Sequence, residues 1–234
     1  MNNFIRTISM IGEENFSALE NSSVAVFGLG GVGGYAVEGL ARCGVLNFYL
    51  CDCDVFSGSN LNRQILATTK TVGKSKTETA KNRILSINEN ANVQLFDCYF
   101  NRDTAADFPF EKFDYIIDCI DSITSKILLA EIAIQKNIPI ISSMGTGNKT
   151  DPTKLAVAKL SKTSVCPLAR VMRSELKKRN IDIKVVFSTE LPTVPKITFS
   201  DEKNLRKDVP SSMVFVPAAA GLLLAREVVF DLIK

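Results

Sequence analysis

The sequence has no histidine and no tryptophan among its 234 residues. The lack of histidine excludes Ser-His-Asp and Cys-His catalysis, and it excludes metal sites with histidine ligands. Any general acid–base chemistry must therefore use carboxylates, lysine, tyrosine or cysteine. A net charge of +3 is only weak evidence for a polyanionic partner.

Paired cysteines are missing as well. The six cysteines form no CxxC pair, so the usual paired-cysteine zinc site is excluded. Cys51 and Cys53 flank Asp52 with one residue between them, and we interpret both as packing residues. Cysteines inside predicted strands and helices are typical of reduced thiols. The N-terminus has Arg6 and Glu13 in place of a signal-peptide pattern, and we expect a cytoplasmic protein.

Long hydrophobic runs are also lacking. The longest, Met213–Ala225, is too short to cross a bilayer and contains Pro217 and Gly221. We interpret it as a buried C-terminal helix that begins near Pro217. A peripheral membrane contact is the alternative, and we expect no stable membrane insertion.

The most informative stretch that is present is Val24–Arg63. Its apolar run Val24–Phe27 predicts a buried strand, and Gly28–Gly33 fits the G-x-G-x-x-G pattern. An amphipathic helix follows, and the strand Phe48–Cys51 then leads into Asp52. This order of strand, glycine loop, helix, strand and acidic residue predicts a nucleotide site.

The glycine loop has a physical reason for its composition. Its glycines are Gly28, Gly30, Gly31 and Gly33. The first permits a tight turn, the second lets the backbone approach phosphates, and the last lets the helix pack on the strand. The helix N-terminus offers free N–H groups to an anion. Asp52 stands where an acidic residue would bind the ribose hydroxyls. A glycine turn that only packs is the alternative.

Strands and helices continue to alternate beyond this unit. The further elements predicted are the helices Thr7–Leu19, Lys74–Asn88, Lys126–Lys136 and Pro167–Asn180, and the strands Val93–Tyr99, Phe113–Cys119, Ile138–Ser142, Leu155–Leu160 and Ile183–Ser188. The alternation predicts an α/β fold, a Rossmann-like doubly wound and mainly parallel sheet with a C-terminal substrate-side extension. Ligands in such sheets bind beyond the carboxyl ends of the strands. Leu191–Ser212 is predicted to be a mobile loop.

Charged residues after Asp52 distinguish this site from that of a dehydrogenase. Hydride transfer needs no cation at the phosphates, whereas triphosphate chemistry does, and Arg63 with Lys74 or Lys76 would supply it. Asp121, at the end of a buried strand, could hold Mg²⁺ through oxygen. The residues therefore favour ATP and Mg²⁺ over NAD. The alternatives are a solvated surface role for the cations and a helix N-cap role for Asp121.

In this order, the motifs resemble the ubiquitin-activating-enzyme-like superfamily of adenylating enzymes, of the ThiF/MoeB type. The matching pieces are Arg6 in RTISMIG, the GLGGVGG loop, Asp52-Cys53-Asp54, Asn60-Leu61-Asn62-Arg63-Gln64, Val72-Gly73-Lys74-Ser75-Lys76 and Asp118-Cys119-Ile120-Asp121. This resemblance covers residues 1–150, which would form the nucleotide-binding core of a single 1–234 domain. Residues 151–234 would form the substrate-side and dimer region.

The resemblance also implies residue roles. Asp52 would bind the ribose, while Asn60, Arg63 and Lys76 would contact the phosphates. Asp121 would coordinate Mg²⁺. In a homodimer, Arg6 would reach the phosphates held by the neighbouring subunit. The candidate catalytic residues are therefore Arg63, Lys76, Asp121 and Arg6.

Two departures narrow the resemblance. The zinc-binding CxxC pairs of the sulfur-carrier activators are absent, and their Asp-Asn ending is Asp121-Ser122 here. Both departures resemble the tRNA threonylcarbamoyladenosine dehydratase branch. Further similar pieces are Gly147 with Asp151-Pro152-Thr153, Pro167-Leu168-Ala169, Val186–Glu190 and Val216-Pro217 with Gly221. This branch implies ATP-dependent dehydration, a cyclisation, of N6-threonylcarbamoyladenosine beside the tRNA anticodon. The reaction would proceed through carboxylate adenylation and release AMP and pyrophosphate.

Two other functions stay open. The first is adenylation of the C-terminus of a ubiquitin-like sulfur-carrier protein, for which Cys166 is the candidate thiol in the second half, with a sulfur-transfer protein as a possible partner. The second is a nucleotide-sensing scaffold without catalysis. Cys166 also fits a simple structural role, in a loop that precedes the helix beginning at Pro167.

A basic face on the predicted helix Pro167–Asn180 is the candidate tRNA contact. Its outward residues are predicted to be Arg170, Arg173, Lys177 and Lys178, with Leu168, Val171, Met172 and Leu176 facing inward. Such a face could meet backbone phosphates, although an exposed basic face can also be merely solvated. Adjacent candidates are Lys149, Lys154 and the Lys203–Lys207 loop.

Overall fold

A computed structural model describes residues 3–197 and 210–233. Within these ranges, seven strands form one sheet in the order β3-β2-β1-β4-β5-β7-β6. The strands are β1 Ser23–Phe27, β2 Asn47–Cys51, β3 Asn92–Phe96, β4 Tyr115–Asp118, β5 Ile140–Ser143, β6 Leu155–Lys159 and β7 Lys184–Ser188. Every neighbouring pair is parallel except β6 with β7. The predicted doubly wound, mainly parallel α/β sheet is confirmed.

Helices cover both faces of this sheet. They are α1 Ile5–Ile11, α2 Glu13–Asn21, α3 Gly33–Cys43, α4 Lys76–Ile87, α5 Ile123–Gln135, α6 Pro167–Lys177 and α7 Phe215–Leu232. The two faces can be followed along β1, because Val24 and Val26 belong to one apolar cluster and Ala25 and Phe27 to the other. This alternation is the two-residue period of a strand buried on both sides.

Some predicted boundaries differ from the structure. The predicted helix Thr7–Leu19 is two helices, because Gly12 adopts a positive φ of 86° between them. Helix α4 begins at Lys76, since the Ser75 side chain caps it by accepting from the Glu78 amide. Part of the loop predicted at Leu191–Ser212 lies outside the described residues, and the described parts of that loop carry no helix or strand.

Helix α7 packs directly against α3 through small residues. A Cβ on Gly221 would lie 2.3 Å from the carbonyl oxygen of Val32. A Cβ on Gly39 would lie 2.8 Å from the Cβ of Ala225. Pro217 falls in the first turn of α7, where its missing N–H costs no helical hydrogen bond. The predicted C-terminal helix is therefore confirmed, and it supports the segment that carries the glycine loop.

The helices within the described ranges include none that combines the length and the apolarity needed to span a bilayer. All six cysteines are free, and Cys51 is buried as predicted for a packing residue. Burial raises the pKa of the Cys51 thiol far above its usual value. Cys53, by contrast, is exposed. The interpretation of Cys53 as a packing residue is wrong, because Cys53 lies beyond the end of β2, outside the buried strand.

Candidate active site

The glycine loop connects the end of β1 to the start of α3. Gly28 has a φ of 89°, and a Cβ there would lie 2.7 Å from the carbonyl oxygen of Cys119. A Cβ on Gly33 would lie 1.8 Å from the carbonyl oxygen of Gly28. The protein itself therefore requires glycine at both positions, because no side chain fits between these backbone segments.

Gly30 and Gly31 differ from these two glycines. A Cβ on Gly30 would find only the Gln64 amide, 3.9 Å away, and a Cβ on Gly31 would contact Arg63 and Pro217 at ordinary distances. Packing within the described residues does not explain glycine at position 30. A ligand that approaches the backbone closely does explain it, as expected for a phosphate-binding loop.

Helix α3 follows the loop and aims its N-terminus at the same space. Its N-cap is Val32, which provides no side-chain hydrogen bond to the first turn. The Gly34 and Ala36 amides donate to the Gly30 and Val32 carbonyl oxygens. The Gly33 and Tyr35 amides are therefore the first-turn donors that an anion could use.

Asp52 follows β2 and holds the glycine loop from the side. One carboxylate oxygen accepts from the Leu29 amide at 2.6 Å, and the other accepts from the Asp54 amide at 2.9 Å. The bond to Leu29 thus holds the glycine loop against the end of β2 without a bound ligand. The carboxylate stands beside the loop, as predicted for a ribose ligand.

Lys76 has an ion-pair role that the sequence did not reveal. It is only 6% exposed, and its Nζ lies 2.7 Å from Asp54 Oδ2 and 3.5 Å from Asp52 Oδ1. Asp52, Cys53 and Asp54 could together hold a metal ion by their spacing, but the lysine already compensates both carboxylates. Because the Asp54 side chain is largely exposed, solvent screens its side of this ion pair.

Arg63 and Asn60 lie in the segment after β2. Arg63 Nη1 donates to the Ser59 carbonyl oxygen at 2.9 Å and to Asn62 Oδ1 at 3.0 Å. Burial lowers the pKa of the Arg63 guanidinium from its usual value. Asn60 Oδ1 accepts from the Ser57 amide at 3.1 Å and so shapes the turn. The Arg63 side chain also lies beside the glycine loop, since a Cβ on Gly31 would be 3.5 Å from Arg63 Cγ.

Gln64 follows Arg63 and was not assigned a role from the sequence. It is 7% exposed, and its Oε1 has no hydrogen-bond partner among the described residues. Its amide nitrogen lies nearest to the open position at Gly30. A buried unsatisfied acceptor is costly, so it marks a place where a ligand or water donates.

Asp121 follows β4 at the same edge of the sheet. The N-cap of α5 is Ser122, whose hydroxyl accepts from the Ser125 amide. The N-cap interpretation of Asp121 is therefore wrong. The exposed Asp121 carboxylate has no hydrogen bond or ion pair within the described part of the chain, so it is available to a cation.

Arg6 does not join these residues within one chain. It is exposed on α1 and lines a cavity of about 360 Å³ with Arg42 and Arg83. Arg42 lies in the last turn of α3, whereas the glycine loop precedes the first turn. Arg6 is thus at the opposite end of α3 from its own nucleotide site.

A buried ion pair beneath the site was missed in the sequence. Asp118 ends β4 and Lys126 lies in the first turns of α5, with Lys126 Nζ 2.9 Å from Asp118 Oδ2. The exposures of the lysine and aspartate side chains are 1% and 0%. A signal was present, because Lys126 shares its helix stripe with the buried Leu129, Ala130 and Ala133.

The basic face of α6 is smaller than predicted. Arg173 is half-buried and donates to the carbonyl and hydroxyl oxygens of Thr163, both at 2.7 Å. Lys178 pairs with Glu175 at 2.6 Å. Val171, predicted to face inward, is 39% exposed. Arg170 and Lys177 are exposed without a partner in the described ranges, and they keep the character predicted for a phosphate contact.

The remaining basic candidates divide into three cases. Lys149 is 3% exposed and donates to the Gly145 carbonyl oxygen at 3.0 Å, so its prediction as a surface contact is wrong. Burial lowers the pKa of the Lys149 ammonium. Lys154 is exposed as expected. The Lys203–Lys207 loop lies outside the described residues.

Comparisons with known proteins identify relatives of this chain. The chain is 42% identical over 243 aligned residues to the tRNA threonylcarbamoyladenosine dehydratase of Bacillus subtilis (strain 168), an alignment that covers all of this chain and 96% of that protein. It is 34% identical over 199 residues to the protein of the same name from Escherichia coli (strain K12), covering 81% of this chain and 74% of that protein.

Solved structures show the same similarity. The crystal structure of E. coli tRNA N6-threonylcarbamoyladenosine dehydratase, TcdA, in complex with ATP matches with a TM-score of 0.88 at 30% sequence identity. The match covers 98% of this chain and 93% of that chain. The model of the ThiF family matches residues 3–232. The chain therefore belongs to the ThiF family.

Proposed function

We propose that this protein is an ATP-dependent enzyme that dehydrates N6-threonylcarbamoyladenosine in tRNA, closing a ring through an adenylated carboxylate. The observation that carries the proposal is the gathering of adenylation residues at one sheet edge, in a chain without zinc-binding cysteine pairs. The residues in question are the glycine loop, Asp52, Arg63, Lys76 and Asp121. The similar TcdA was solved with ATP and with AMP, which supports this nucleotide.

The first chemical step would be adenylation. The carboxylate of the threonylcarbamoyl group attacks the α-phosphorus of ATP, a new P–O bond forms, and pyrophosphate leaves. Arg63 and Lys76 would stabilise the negative charge that develops on the phosphates. Asp52 would hold the ribose, and the amides at the start of α3 would hold phosphate oxygens.

Mg²⁺ fits the donor set of this chain. Phosphate-bound Mg²⁺ needs one or two protein carboxylates, and Asp121 offers one free carboxylate at the edge of the sheet. When bound, the ion would supply charge neutralisation to the phosphates. The protein's own part would be to keep Asp121 at a fixed distance from the glycine loop.

The second step would be intramolecular. The carbamoyl nitrogen of the same substrate attacks the activated carbonyl carbon, a C–N bond forms, and AMP leaves with the carboxyl oxygen. The nitrogen releases its proton to solvent, so the substrate has lost one water in total. A tethered nucleophile needs positioning more than a strong base. This requirement suits a chain that has no histidine.

The substrate would lie against the loops that follow β5 and β7. Glu190 accepts from the Thr150 and Asp151 amides at 2.9 and 3.0 Å. The Asn148 side chain accepts from the Ser211 amide at 2.7 Å, and the amide side chain of Asn62 donates to the Ser212 carbonyl oxygen at 2.8 Å. Substrate-side loops are thus tied to the segment that carries Arg63.

The proposal includes a homodimer and a site for tRNA. Arg6 lies on α1, near the end of α3 that is farther from its own glycine loop. This position supports a role at the phosphates of a neighbouring subunit.

Arg170 and Lys177 would contact the tRNA backbone near the anticodon. Residues 1–150 would bind the nucleotide, and residues 151–234 would bind the substrate and the partner subunit. The six free cysteines and a tRNA substrate support a cytoplasmic location.

The decisive experiment is mass spectrometry of nucleosides from modified tRNA incubated with the protein and ATP. We expect the threonylcarbamoyl nucleoside to lose one water, with AMP and pyrophosphate formed in equal amounts. No AMP with modified tRNA, together with adenylation of a carrier-protein C-terminus, would refute the proposal.

Adenylation of a sulfur carrier is the competing function, and it needs a reactive thiol. Cys166 is 2% exposed at the start of α6, which disfavours attack on a partner protein. We expect Cys166→Ser to keep full turnover on tRNA. Loss of turnover with unchanged stability would instead favour sulfur chemistry and a sulfur-transfer partner.

A further inference from the structure

The buried pair of Asp118 and Lys126 joins the ends of two neighbouring strands. Lys126 Nζ donates to Asp118 Oδ2 at 2.9 Å, to Ser142 Oγ at 3.0 Å and to the Ser143 carbonyl oxygen at 2.9 Å. The Ser142 hydroxyl also donates to Asp118 Oδ2 at 2.6 Å. The ammonium thereby uses three donors on β4 and β5, at the edge where ligands bind.

Stability alone does not account for this pair. Two charges on almost fully buried side chains lose their hydration, and apolar residues of similar volume often serve stability as well or better. The rest of the buried α5 stripe is apolar apart from Ser125. A charge kept on such a stripe therefore needs another reason.

The contacts of the pair lead to the segments that the proposed reaction uses. Asp118 Oδ1 accepts from the Ile120 amide at 3.1 Å and so shapes the turn into Asp121. The backbone of Cys119, in the same turn, is what Gly28 packs against. On the other strand, Ser143 leads directly into Met144 and the loop at 145–147. One ammonium thus connects the acidic turn after β4 with the substrate loop after β5.

We propose that Lys126 is a positioning residue, which fixes the Asp121 turn and the loop after β5 relative to the glycine loop. This inference rests on the proposed function, because it takes Asp121 as the carboxylate for ATP-bound Mg²⁺. Lys126 does not touch substrate, since its side chain is sealed below the surface. It acts through the backbone that it holds.

Two variants separate positioning from simple stability. Lys126→Met leaves the Asp118 carboxylate buried and uncompensated, so a fall in the thermal unfolding midpoint is expected. The double variant Asp118→Asn with Lys126→Met removes both charges and keeps an acceptor for the Ile120 amide. Its midpoint should return close to that of the natural protein. Lys136→Met, an exposed lysine just past α5, is the matched control.

The readout is the affinity for ATP with and without Mg²⁺, measured by calorimetry on the full chain without tRNA. The natural protein and Lys136→Met should gain affinity when Mg²⁺ is added. In the stable double variant that gain should fall by about tenfold or more, as for outer-shell partners of other metal sites. ATP binding without Mg²⁺ should be almost unchanged.

A double variant with natural stability and the natural Mg²⁺ gain would overturn the inference, whatever happens with tRNA. The two proposals fail separately. If the natural protein gains ATP affinity from Mg²⁺ but never dehydrates tRNA, the proposed function is refuted. The positioning role of Lys126 is then still decided by the Mg²⁺-dependent gain of the double variant. Restored stability with restored Mg²⁺ response would refute the positioning role while leaving the function intact.

Discussion

Two parts of the sheet's carboxyl edge are built by different means. The proposed nucleotide site beyond β1, β2 and β4 is termed the nucleotide edge, and the proposed substrate loops beyond β5 and β7 are termed the substrate edge. At the nucleotide edge, backbone touches backbone, as where Gly28 meets Cys119 and Gly33 meets Gly28. At the substrate edge, loops are joined by side-chain hydrogen bonds from Glu190, Asn148 and Asn62. Close backbone contacts leave no room for movement. A single hydrogen bond, by contrast, contributes only about 0.5–1.5 kcal/mol and can be exchanged. The nucleotide edge is therefore preformed, and the substrate edge is adjustable.

The sharpest way to break this comparison is at the glycine loop. Gly33→Ala should cost about 3 kcal/mol or more of the free energy of unfolding, because its Cβ would overlap the Gly28 carbonyl oxygen. Gly30→Ala is the matched control, since its Cβ meets only the end of Gln64. It should keep the stability and lose ATP affinity. Thermal unfolding and calorimetry distinguish the two, and equal destabilisation would refute the division within the loop.

A smaller effect is expected at Asp52, which joins the loop to β2. Asp52→Asn keeps one carbonyl oxygen where two carboxylate oxygens now accept from Leu29 and Asp54. Losing a hydrogen bond to a charged acceptor costs about 1.5–3 kcal/mol, so ATP affinity should fall about ten- to a hundredfold. Calorimetry with ATP measures this. Unchanged affinity would mean that the Asp52 carboxylate is not part of the nucleotide site.

The substrate edge should respond to pH through Glu190. Burial raises the pKa of this carboxyl, but hydrogen bonds from Thr150 and Asp151 outweigh it and hold the pKa below its usual value. Its contribution to stability is therefore full above the unfolded pKa and disappears as pH falls through the lower, folded pKa. We expect Glu190→Gln to lower the unfolding midpoint by about 2–4 °C at pH 7, for about 1 kcal/mol lost.

That difference should shrink as the pH falls below the unfolded pKa and through the lower, folded pKa, because the natural side chain then becomes protonated as well. ATP affinity should be the same in both proteins. A midpoint difference that stays constant from neutral pH down through the folded pKa would show that the charge of Glu190 does not hold the loop.

The smallest effect is expected on the outer face of α6. Arg170→Gln with Lys177→Gln should weaken tRNA binding and reduce the slope of log affinity against log salt by about 0.7–0.9 for each lost phosphate contact. Lys178→Gln is the control, because Glu175 already pairs with its ammonium. Filter binding at several salt concentrations measures the slopes. An equal slope for the natural protein and both variants would exclude this face as a tRNA contact.

The same contrast explains what the sequence could predict. The positive φ of Gly28 and the ends of the strands are local features, so Gly28, Asp52 and Asp121 could be placed from the order of residues alone. Arg173 could not, because its partner Thr163 lies in the loop before the helix. Lys149 could not, because its bond to the Gly145 carbonyl, four residues earlier, depends on a loop conformation that no helical period encodes. Helical periodicity shows which face of a helix is apolar, but not which neighbouring loop covers its polar side.

Lys126 belongs between these cases. Its place on an apolar stripe was visible in the sequence, but the identity of its partners depended on β4 and β5 lying side by side. Lys76 is similar, since the segment after β2 had to fold back before Asp54 could reach it. Pairings across strands are set by the assembled sheet, which a single sequence does not specify.

The contact between Gly221 and Val32 has a consequence for synthesis on the ribosome. The glycine loop and α3 leave the ribosome early, but the helix that packs on Val32 is made only after the whole sheet. Because a domain generally folds as a unit, the glycine loop gains its full support only when α7 joins it. An incomplete chain should therefore have little hold on ATP, so that nucleotide binding begins only once α7 has been made.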